Sequence, residues 1–351
     1  EGGGAEQMLQ KLISFSSKQH VHYVIFLKNK NKKNIKNIYN FNFSKNPFRF
    51  IFELIKVIIL IKKLRPNVIM SWLYHCDLLV YIIAKLIGFP EKRIIWNIRC
   101  SYLDLRDYSF VTKIVLSLLV KFSKNIGTLV FNSHEGKRYH KSIGYSNKNM
   151  ITIPNGFDLN KFKYNKLKNK ILKKKYKISN ENILGMIARN DPTKNFEIFT
   201  NLSNNFILRN KHNPRFLIAG KNTELISIPE KHKKLFISLG FKKNIHDFLN
   251  IVDILILISK GEGFPNIIGE AMCMNIPIIC NNVGDNKLIV KDAGIVLSKK
   301  PSASELRKNI IRIMKNKKKY SKGRKNIEMR FNIKIVIKQY ENLFNSLTGN
   351  N

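Results

Sequence analysis

Short apolar runs alternate with amphipathic stretches along almost the whole chain, and no other feature restricts the fold as much. An apolar run of roughly four to eight residues predicts a strand buried on both faces, as in the middle of a parallel sheet. ILGMIA and ILILIS are two such runs. The predicted strands are Val21–Leu27, Asn67–Ser71, Ile94–Ile98, Thr128–Asn132, Ile183–Ala188, Phe216–Ala219, Ile254–Ile258 and Ile276–Cys280.

Helical patterns lie between these strands, which predicts βαβ units and parallel sheets in an α/β fold. The 351 residues suffice for two doubly wound domains. Pro154 and Gly156 interrupt the periodicity, so we expect one domain over 1–157 and another over 158–330. The chain begins inside a Gly-rich turn, and we expect a preceding first strand to be missing. The predicted helices are Ala5–Ser17, Phe48–Leu64, Leu78–Ile87, Asn195–Arg209 and Asn266–Met274.

Positive charge dominates both halves of the chain: 63 Lys and Arg residues stand against 23 Asp and Glu, a formal net charge of +40. Such a chain is attracted to phosphates, although a solvated lysine-rich surface without a partner explains the excess as well. No localised basic patch with a docking element accompanies the charge, which argues against a specific nucleic-acid-binding protein. The four cysteines form no close pair and no His cluster accompanies them, so we expect a reduced, cytoplasmic protein without a metal site.

Two carboxylates surround the predicted start of a helix in the segment 259–277. A buried strand ends at Ser259, a loop carries Glu262, and a helix that begins near Pro265 carries Glu270. Open α/β sheets bind ligands at the carboxyl ends of their strands, where the N-terminus of a helix favours an anion. Carboxylates beside an anion need other polar partners, and sugar hydroxyls supply them. For either glutamate alone, a helix cap or a solvent-facing position is the simpler interpretation.

This segment, SKGEGFPNIIGEAMCMNIP, resembles the signature of glycosyltransferase family 4, in which seven residues separate the two Glu residues of EGFPN-x-x-x-EAM. The resemblance implies that Glu262 lies at the donor sugar and that Glu270 binds the nucleotide ribose. Asn275 stands where the family usually has Gly, and Asn tolerates the left-handed backbone conformation that such a helix end requires. The other donor-binding residues that the resemblance implies are Gly263, Phe264, Pro265 and Asn266.

Cations and glycines elsewhere extend the resemblance. Arg189 and Lys194 follow the predicted strand Ile183–Ala188 and are similar to the Arg and Lys with which the family grips the donor diphosphate. These cations suit phosphate oxygens whose charge grows as the sugar leaves. Gly284, within NNVGDNKLIV, is expected near the donor loop. The first residues resemble the family's GGAE turn and are expected to form an acceptor-side or phosphate loop: Gly2, Gly3 and Gly4.

Two segments of the first half narrow the resemblance to a bacterial subgroup that builds O-antigens, capsules and related surface polysaccharides. Residues 71–79, SWLYHCDLL, resemble WxYHADL, and residues 96–104, WNIRCSYLD, resemble I-R-x-S. His75 and Arg99 follow predicted strands, are expected to line the cleft and are the catalytic candidates of this half. Arg99 departs from the family pattern, since many relatives have His at its position, so the role of that His does not transfer directly to Arg99. Asp77 is predicted to be a helix cap.

Because it extends over nearly the whole chain, the resemblance implies the GT-B fold: two Rossmann-like domains facing a cleft, with a closing helix over 331–351 packed back on the first. It implies a retaining, metal-independent glycosyltransferase that uses no cofactor. A hexose-type sugar would pass from a nucleotide-sugar donor, a UDP- or GDP-sugar, to a lipid-linked or oligosaccharide acceptor. The alternatives are a nucleotide-sugar epimerase on the same double-Rossmann architecture and, more distantly, a basic nucleic-acid-binding protein.

The predicted helix Phe48–Leu64 has two interpretations. Its mixture of Phe, Ile, Lys and Arg is typical of a helix that lies on a membrane surface, and a core helix of a Rossmann-like domain has the same pattern. Charged residues interrupt the run, so it does not predict a membrane span. On the first interpretation the protein is peripheral on the inner face of the cytoplasmic membrane, with an anionic membrane surface as a partner.

Overall fold

The computed structural model describes residues 4–28, 37–101, 109–206, 214–242 and 244–349, which form two compact units. Unit 1 comprises residues 1–156 and 333–351, and unit 2 comprises residues 157–332. The chain therefore passes from unit 1 to unit 2 between residues 156 and 157, one residue before the predicted boundary between residues 157 and 158. Phe157 falls in unit 2 because its N–H donates a hydrogen bond of 2.8 Å to the carbonyl of Phe331.

Unit 1 alternates strands and helices up to residue 152. In chain order its elements are α1 (Gly4–Phe15), β1 (Val24–Phe26), β2 (Ile38–Asn40), α2 (Pro47–Leu64), β3 (Ile69–Trp72), α3 (Tyr74–Ile87), β4 (Ile94–Ile98), α4 (Phe110–Phe122), β5 (Thr128–Phe131), α5 (His134–Ser142) and β6 (Met150–Thr152). All pairings are parallel. Strands β3, β4, β5 and β6 form one sheet in that order, and β1 pairs separately with β2.

The central strands β4 and β5 are buried along their whole length, as the apolar runs predict. Their side chains alternate between two apolar clusters because successive residues of a strand point to opposite faces. Trp96 and Leu129 pack on one face in a cluster with residues of α3 and α4. Ile95 and Val130 pack on the other face in a cluster with residues of α1. Helices therefore cover both faces of this sheet.

Unit 2 repeats the alternation with a larger sheet. Its elements are α6 (Lys166–Lys175), β7 (Ile183–Ile187), α7 (Phe196–Phe206), β8 (Arg215–Ala219), β9 (Phe236–Ser238), α8 (Ile245–Leu249), β10 (Ile254–Leu257), α9 (Asn266–Cys273), β11 (Ile278–Asn281), α10 (Asn286–Val290), β12 (Gly294–Leu297), α11 (Ala303–Lys315), α12 (Lys317–Tyr320) and α13 (Gly323–Arg330). Six parallel strands form one sheet in the order β12-β11-β10-β7-β8-β9.

Both faces of the unit 2 sheet are also covered. Leu184 and Met186 of β7 belong to a cluster that contains residues of α7 and α11. Ile183 and Ile187 of the same strand belong to a second cluster, which contains residues of α9 and α13. The alternation along one strand thus places helices on opposite faces, which is the doubly wound arrangement that the sequence predicts.

The last helix, α14 (Ile333–Thr348), belongs to unit 1 although it follows unit 2 in the chain. Ile337 and Tyr340 are buried in the same cluster as Met8 of α1 and Val130 of β5. An apolar stripe at helical spacing thus covers one face of the unit 1 sheet.

All eight strands predicted from the sequence are present, although β1 is shorter than its apolar run. The strands β2, β6, β9 and β12 escaped prediction; they are short, and the last three lie at sheet edges, where side chains are less buried and the apolar signal is weak. Helix α3 begins at Tyr74, not at Leu78 as predicted, so it includes His75 and Asp77. Residues 207–209 of the helix predicted over Asn195–Arg209 lie outside the described residues.

Candidate functional site

The strand order of unit 2 defines where a ligand site is expected. From β7 the chain proceeds outward through β8 and β9, then returns to the other side of β7 for β10, β11 and β12. This is the Rossmann order, and its connections diverge between β7 and β10. The loops that follow these two strands separate at their carboxyl ends and leave a crevice in which doubly wound proteins bind ligands. These loops carry Arg189, Lys194 and Glu262.

The loop after β7 is built around Asp191. Its Oδ1 accepts hydrogen bonds from Thr193 N–H (3.0 Å) and Thr193 Oγ1 (2.7 Å), which caps a short 3₁₀ helix over Pro192–Lys194. Its Oδ2 lies 3.2 Å from Arg189 Nη2. Burial alone would raise the pKa of Asp191, but these hydrogen bonds and the charges of Arg189 and Lys194 outweigh it and lower that pKa. Asp191 thus fixes the loop while staying ionised, and it leaves the Arg189 side chain mostly exposed.

The loop after β10 brings Glu262 to this same place. Glu262 Oε1 forms an ion pair with Lys194 Nζ and accepts a 2.6 Å hydrogen bond from Ser259 Oγ. Only 10% of the Glu262 side chain and 19% of the Lys194 side chain are exposed. The Lys260 N–H also donates to the Thr193 carbonyl at 2.7 Å, so backbone and side chains both join the two loops. A carboxylate and an ammonium therefore meet at the switch point.

A third loop, after β11, supports the loop of Glu262. The Asp285 N–H donates to the Gly263 carbonyl at 3.0 Å. Gly284 has φ +56°, and a Cβ at this position would collide with the Glu262 carbonyl. The Asn281 side chain accepts from Ser259 N–H (3.0 Å) and donates to the Ser259 carbonyl (2.7 Å). Gly284 thus packs directly against the carboxylate-bearing loop, whereas Asn281 fixes its start.

Helix α9 begins immediately after that loop. Phe264 is buried, with its ring centroid 5.2 Å from that of Phe331, so its side chain forms part of the unit 2 core. Pro265 is also buried and is the N-cap residue, and it makes no side-chain capping hydrogen bond. Asn266 is the first helical residue. Glu270 lies one turn further along and is buried, with 9% exposed. The motif therefore divides into core residues that shape the loop and polar residues along the helix.

Sequence reasoning assigned no role to Ser259, Asp191 or Asn281, which hold the predicted residues in place. Ser259 lies three residues before Glu262, and Asp191 lies three before Lys194. Both spacings are compatible with local side-chain bonds, so a signal was present. Asn281 carried no such signal because its partner Ser259 is 22 residues away in the chain.

Arg99 in unit 1 follows β4 directly and is held by neutral groups. Its Nη1 donates to Asn97 Oδ1 (3.4 Å) and to the Tyr340 hydroxyl (3.3 Å), and its Nη2 donates to Asn155 Oδ1. The guanidinium lies 5.4 Å from the centre of the Trp72 ring. Burial lowers the pKa of Arg99. Among the described residues, no carboxylate forms an ion pair with Arg99.

The remaining sequence-predicted residues of unit 1 are less closely connected. His75 is exposed in the first turn of α3. The prediction that Asp77 caps this helix is wrong: Leu73 is the N-cap residue, and the buried Asp77 carboxylate accepts a 2.5 Å hydrogen bond from Ser71 Oγ. Gly4 is the first residue of α1, whereas Gly2 and Gly3 lie outside the described residues.

Within the described ranges, no three or more His, Cys, Asp or Glu side chains cluster closely enough to hold a metal ion. Of the helices in the part of the chain that the structure describes, none combines the length and apolar character needed to span a bilayer.

Two units with parallel sheets define a doubly wound α/β protein, and unit 2 pairs opposite charges at the switch point, where such proteins bind ligands. Comparison with known families specifies the class further. The model of Glycosyltransferase Family 4 matches residues 2–161, and that of Glycosyl transferases group 1 matches residues 168–330. Together they cover nearly the whole chain. The chain therefore belongs to the group 1 glycosyltransferases of family 4.

Curated relatives agree with this family. UDP-Gal:alpha-D-GlcNAc-diphosphoundecaprenol alpha-1,3-galactosyltransferase of Escherichia coli is 28% identical over 260 residues, 68% of this chain and 64% of that protein. The capsular polysaccharide biosynthesis glycosyltransferase CapM of Staphylococcus aureus is 24% identical over 315 residues, 84% of this chain and 80% of that protein. The match thus spans less than two thirds of the Escherichia coli protein.

Solved structures identify the fold. Anabaena Alr3699/HepE in complex with UDP matches with a TM-score of 0.82 at 18% identity, over 99% of this chain and 97% of that chain. A sucrose-phosphate synthase from Thermosynechococcus elongatus matches with a TM-score of 0.79 at 14% identity, over 100% and 95%. The chain has the GT-B fold that its sequence predicts.

Proposed function

We propose that this protein is a retaining, metal-independent glycosyltransferase that transfers a hexose-type sugar from a nucleotide-sugar donor to an acceptor hydroxyl. One observation carries the proposal: Lys194 and Glu262 pair at the switch point of unit 2, within motifs that the family shares. The relative crystallised with UDP supports a UDP-sugar, and a GDP-sugar is the other candidate. The nucleotide sugar is the substrate, and no cofactor is needed.

In this proposal the donor diphosphate binds where two kinds of positive charge meet. Arg189 and Lys194 follow β7, and the N-terminus of α9 follows the loop of Glu262. Negative charge accumulates on the diphosphate as the bond to the sugar breaks, so these groups bind the transition state more tightly than the ground state. Lys194 exchanges part of its contact with Glu262 for a phosphate oxygen, which leaves the carboxylate to accept from a sugar hydroxyl.

We assign roles to the other predicted site residues from their positions in the two units. Glu270, on α9, binds the ribose, and the backbone of Gly263, Asn266 and Gly284 borders the sugar. Phe264 and Pro265 act from the core by shaping that backbone. We assign the acceptor to unit 1, where the positive charge of Arg99 has no carboxylate partner among the described residues and His75 is exposed. The glycines that precede α1 complete this acceptor side.

We further propose that the acceptor is a lipid-linked saccharide used in surface polysaccharide synthesis, such as O-antigen or capsule, with an oligosaccharide as the alternative. Two relatives support this: the Escherichia coli galactosyltransferase is named for a diphosphoundecaprenol-linked sugar, and CapM for capsular polysaccharide biosynthesis. A lipid-linked acceptor places the protein at the inner face of the cytoplasmic membrane, as a peripheral protein.

The proposal is tested by incubating the protein with UDP- and GDP-sugars and membrane extracts containing lipid-linked saccharides. We expect acceptor-dependent transfer with retained anomeric configuration, in the presence of EDTA. Glu262→Gln and Arg189→Ala should each lower kcat by roughly 100-fold or more, because each removes a contact that strengthens in the transition state. Lys168→Ala is the matched control, since it removes an exposed ion pair with Asp247 elsewhere in unit 2 and should keep full activity.

Two outcomes contradict the proposal. Conversion of the donor sugar without any acceptor would indicate an epimerase. Unchanged turnover by Glu262→Gln would remove the switch-point pair from the chemistry. Thermal unfolding of each variant confirms that the loss of activity is not a loss of fold.

A further inference from the structure

Helix α2 is apolar on two opposite faces. One face is covered: Val57 and Ile61 are buried in a cluster with Phe41 and with Ile83 of α3. This contact explains why the helix belongs to unit 1, since it provides the apolar stripe by which a surface helix packs on its domain. A core helix needs no second apolar face, so the composition of the opposite face requires another explanation.

The opposite face carries five large apolar side chains at helical spacing, which we call the α2 stripe: Phe48, Ile51, Phe52, Ile55 and Ile59. At 100° per residue they fall within one arc of roughly 100°. Phe48 is 84% exposed, and the other four are between 49% and 61% exposed. Single exposed apolar residues are ordinary, but a contiguous row of this size marks an interaction surface.

Basic residues border the α2 stripe along one side, where Arg49, Lys56 and Lys63 lie, and Lys62 lies at its C-terminal end; all four are exposed. The one acidic residue of this helix, Glu53, lies on the buried face and pairs with Lys56 at 3.1 Å. The exposed face therefore carries only positive charge. Helix α3, which packs on α2, exposes an apolar side chain of its own, since Leu86 is 64% exposed.

We propose that the α2 stripe lies in the interfacial layer of an anionic lipid bilayer and holds unit 1 on the membrane. The phenyl and branched side chains would enter the boundary between headgroups and acyl chains, while the flanking cations contact lipid phosphates. A second copy of the chain fits this surface less well, because a symmetric contact through the stripe would bring like charges together. Charge complementarity therefore favours the anionic lipid.

The inference deepens the proposed function, because a membrane surface is where a lipid-linked acceptor would be found. It is tested without donor or acceptor, so that either proposal can fail while the other stands. The substituted side chains face solvent, so the variants should fold like the wild type. Thermal unfolding of each variant checks this expectation.

The experiment is flotation of the full chain with vesicles of phosphatidylglycerol and phosphatidylethanolamine, compared with neutral phosphatidylcholine. We expect binding to the anionic vesicles that persists in part at high salt. The double variant Phe52→Ser with Ile55→Ser should lower partitioning tenfold or more. Lys62→Gln with Lys63→Gln should lower it by roughly tenfold and weaken its salt dependence.

Helix α6 supplies the matched controls. It also exposes apolar side chains among lysines, with Leu167 67% and Ile171 56% exposed, but it belongs to unit 2. Leu167→Ser with Ile171→Ser, and Lys170→Gln with Lys174→Gln, should bind anionic vesicles like the wild type. The inference is overturned if the wild type does not float with anionic vesicles at low salt, or if the α2 and α6 variants behave alike. It is also overturned if the α2 variants only dissociate a dimer in sedimentation and leave vesicle binding unchanged.

Discussion

Glu262 is a nearly buried carboxylate whose partners come from three different loops. Lys194 supplies the opposite charge, Ser259 donates a hydrogen bond, and Gly284 presses the backbone from the other side. A buried charge is tolerated only when it is paired and hydrogen-bonded, and these contacts together hold Glu262 in a fixed position. The geometry of the site therefore depends also on Ser259, to which the proposed function assigns no ligand contact.

Gly284→Ala should weaken nucleotide binding by tenfold or more. The new Cβ would collide with the Glu262 carbonyl and displace the loop, in addition to the strain of about 1 kcal/mol that Ala suffers at φ +56°. Titration calorimetry with UDP and GDP measures the affinity. Gly88→Ala is the matched control: Gly88 has φ +69° and no atom within 4 Å of its Cβ position, so it adds strain without a collision. Equal affinity for both variants would show that the close approach at Gly284 is unimportant.

Asp77 should make unit 1 less stable as the pH rises from 6.5 to 8. Burial raises the pKa of Asp77 to about 8 from its ordinary 3.8, so over this range the native state keeps a proton that the unfolded state releases. Stability then falls by about 1.4 kcal/mol per pH unit. His140, whose pKa burial lowers to about 4 from its ordinary 6.5, takes up a proton mainly in the unfolded state near pH 6.5, so it opposes this slope at the lower end of the window. Because the wild type and an Asp77 variant share His140, this contribution cancels in their comparison.

Asp77→Asn removes this slope and keeps the oxygen that accepts from Ser71. Relative to the wild type, the variant should gain about 2 kcal/mol between pH 6.5 and 8 and nothing further above it. Both tryptophans of the chain, Trp72 and Trp96, lie in unit 1, so denaturant unfolding followed by tryptophan fluorescence reports this unit. Parallel pH profiles for the two proteins would contradict the raised pKa.

At the scale of elements, the end of α9 is a Schellman turn. The N–H of Ile276 donates to the Ala271 carbonyl (3.1 Å) and that of Asn275 to the Met272 carbonyl (3.0 Å), with Asn275 at φ +57°. The expectation that Asn replaces Gly in the left-handed position is confirmed. Asn275 does more than tolerate this position, because its side chain also accepts a 2.9 Å hydrogen bond from the Arg324 N–H and so caps α13.

Asn275→Ala should therefore destabilise unit 2 by about 1–2 kcal/mol, since it strains the turn and removes the cap of α13. Asn275→Gly should cost less, because Gly relieves the strain and only the cap is lost. Urea unfolding followed by far-ultraviolet circular dichroism measures both variants. Equal destabilisation by Ala and Gly would mean that the backbone conformation contributes nothing measurable.

At the scale of the molecule, the end of the chain stabilises the unit in which the chain began. Helix α14 covers one face of the unit 1 sheet, and its Tyr340 hydroxyl contacts Arg99 across 241 residues of sequence. Any change in the packing of this helix is therefore expected to act on unit 1 and on the surroundings of Arg99, although the helix follows unit 2.

Ile337→Ala should destabilise unit 1 by about 2–4 kcal/mol, because removing most of the Ile337 side chain leaves a cavity within a buried apolar cluster. The unfolding midpoint measured by tryptophan fluorescence should fall, and amide exchange in β4 and β5 should accelerate. Ile313→Ala in α11 is the matched control, since Ile313 is equally buried but in unit 2. It should accelerate exchange in β7 and β8 instead. A loss of protection confined to α14 itself would contradict this assignment.

The sequence by itself determined the local secondary structure and the polar and charged side chains from which a site can be built. Uninterrupted apolar runs specify strands buried on both faces. The segment from the EGFPN motif to Asn275 specifies a loop, a helix and the end of that helix. These features could be predicted because each depends on residues that are neighbours in the sequence. Short edge strands such as β6 were not predictable, because half-exposed strands lack a continuous apolar run.

Only the tertiary structure decided which of these strands, helices and loops contact one another. Lys194 and Glu262 are 68 residues apart and come together because β10 returns beside β7, a choice of strand order that no local pattern encodes. The burial of Asp77 and the exposure of the α2 stripe were hidden for a related reason. Periodicity shows that a face is apolar, but whether another element covers that face depends on packing between segments distant in the chain.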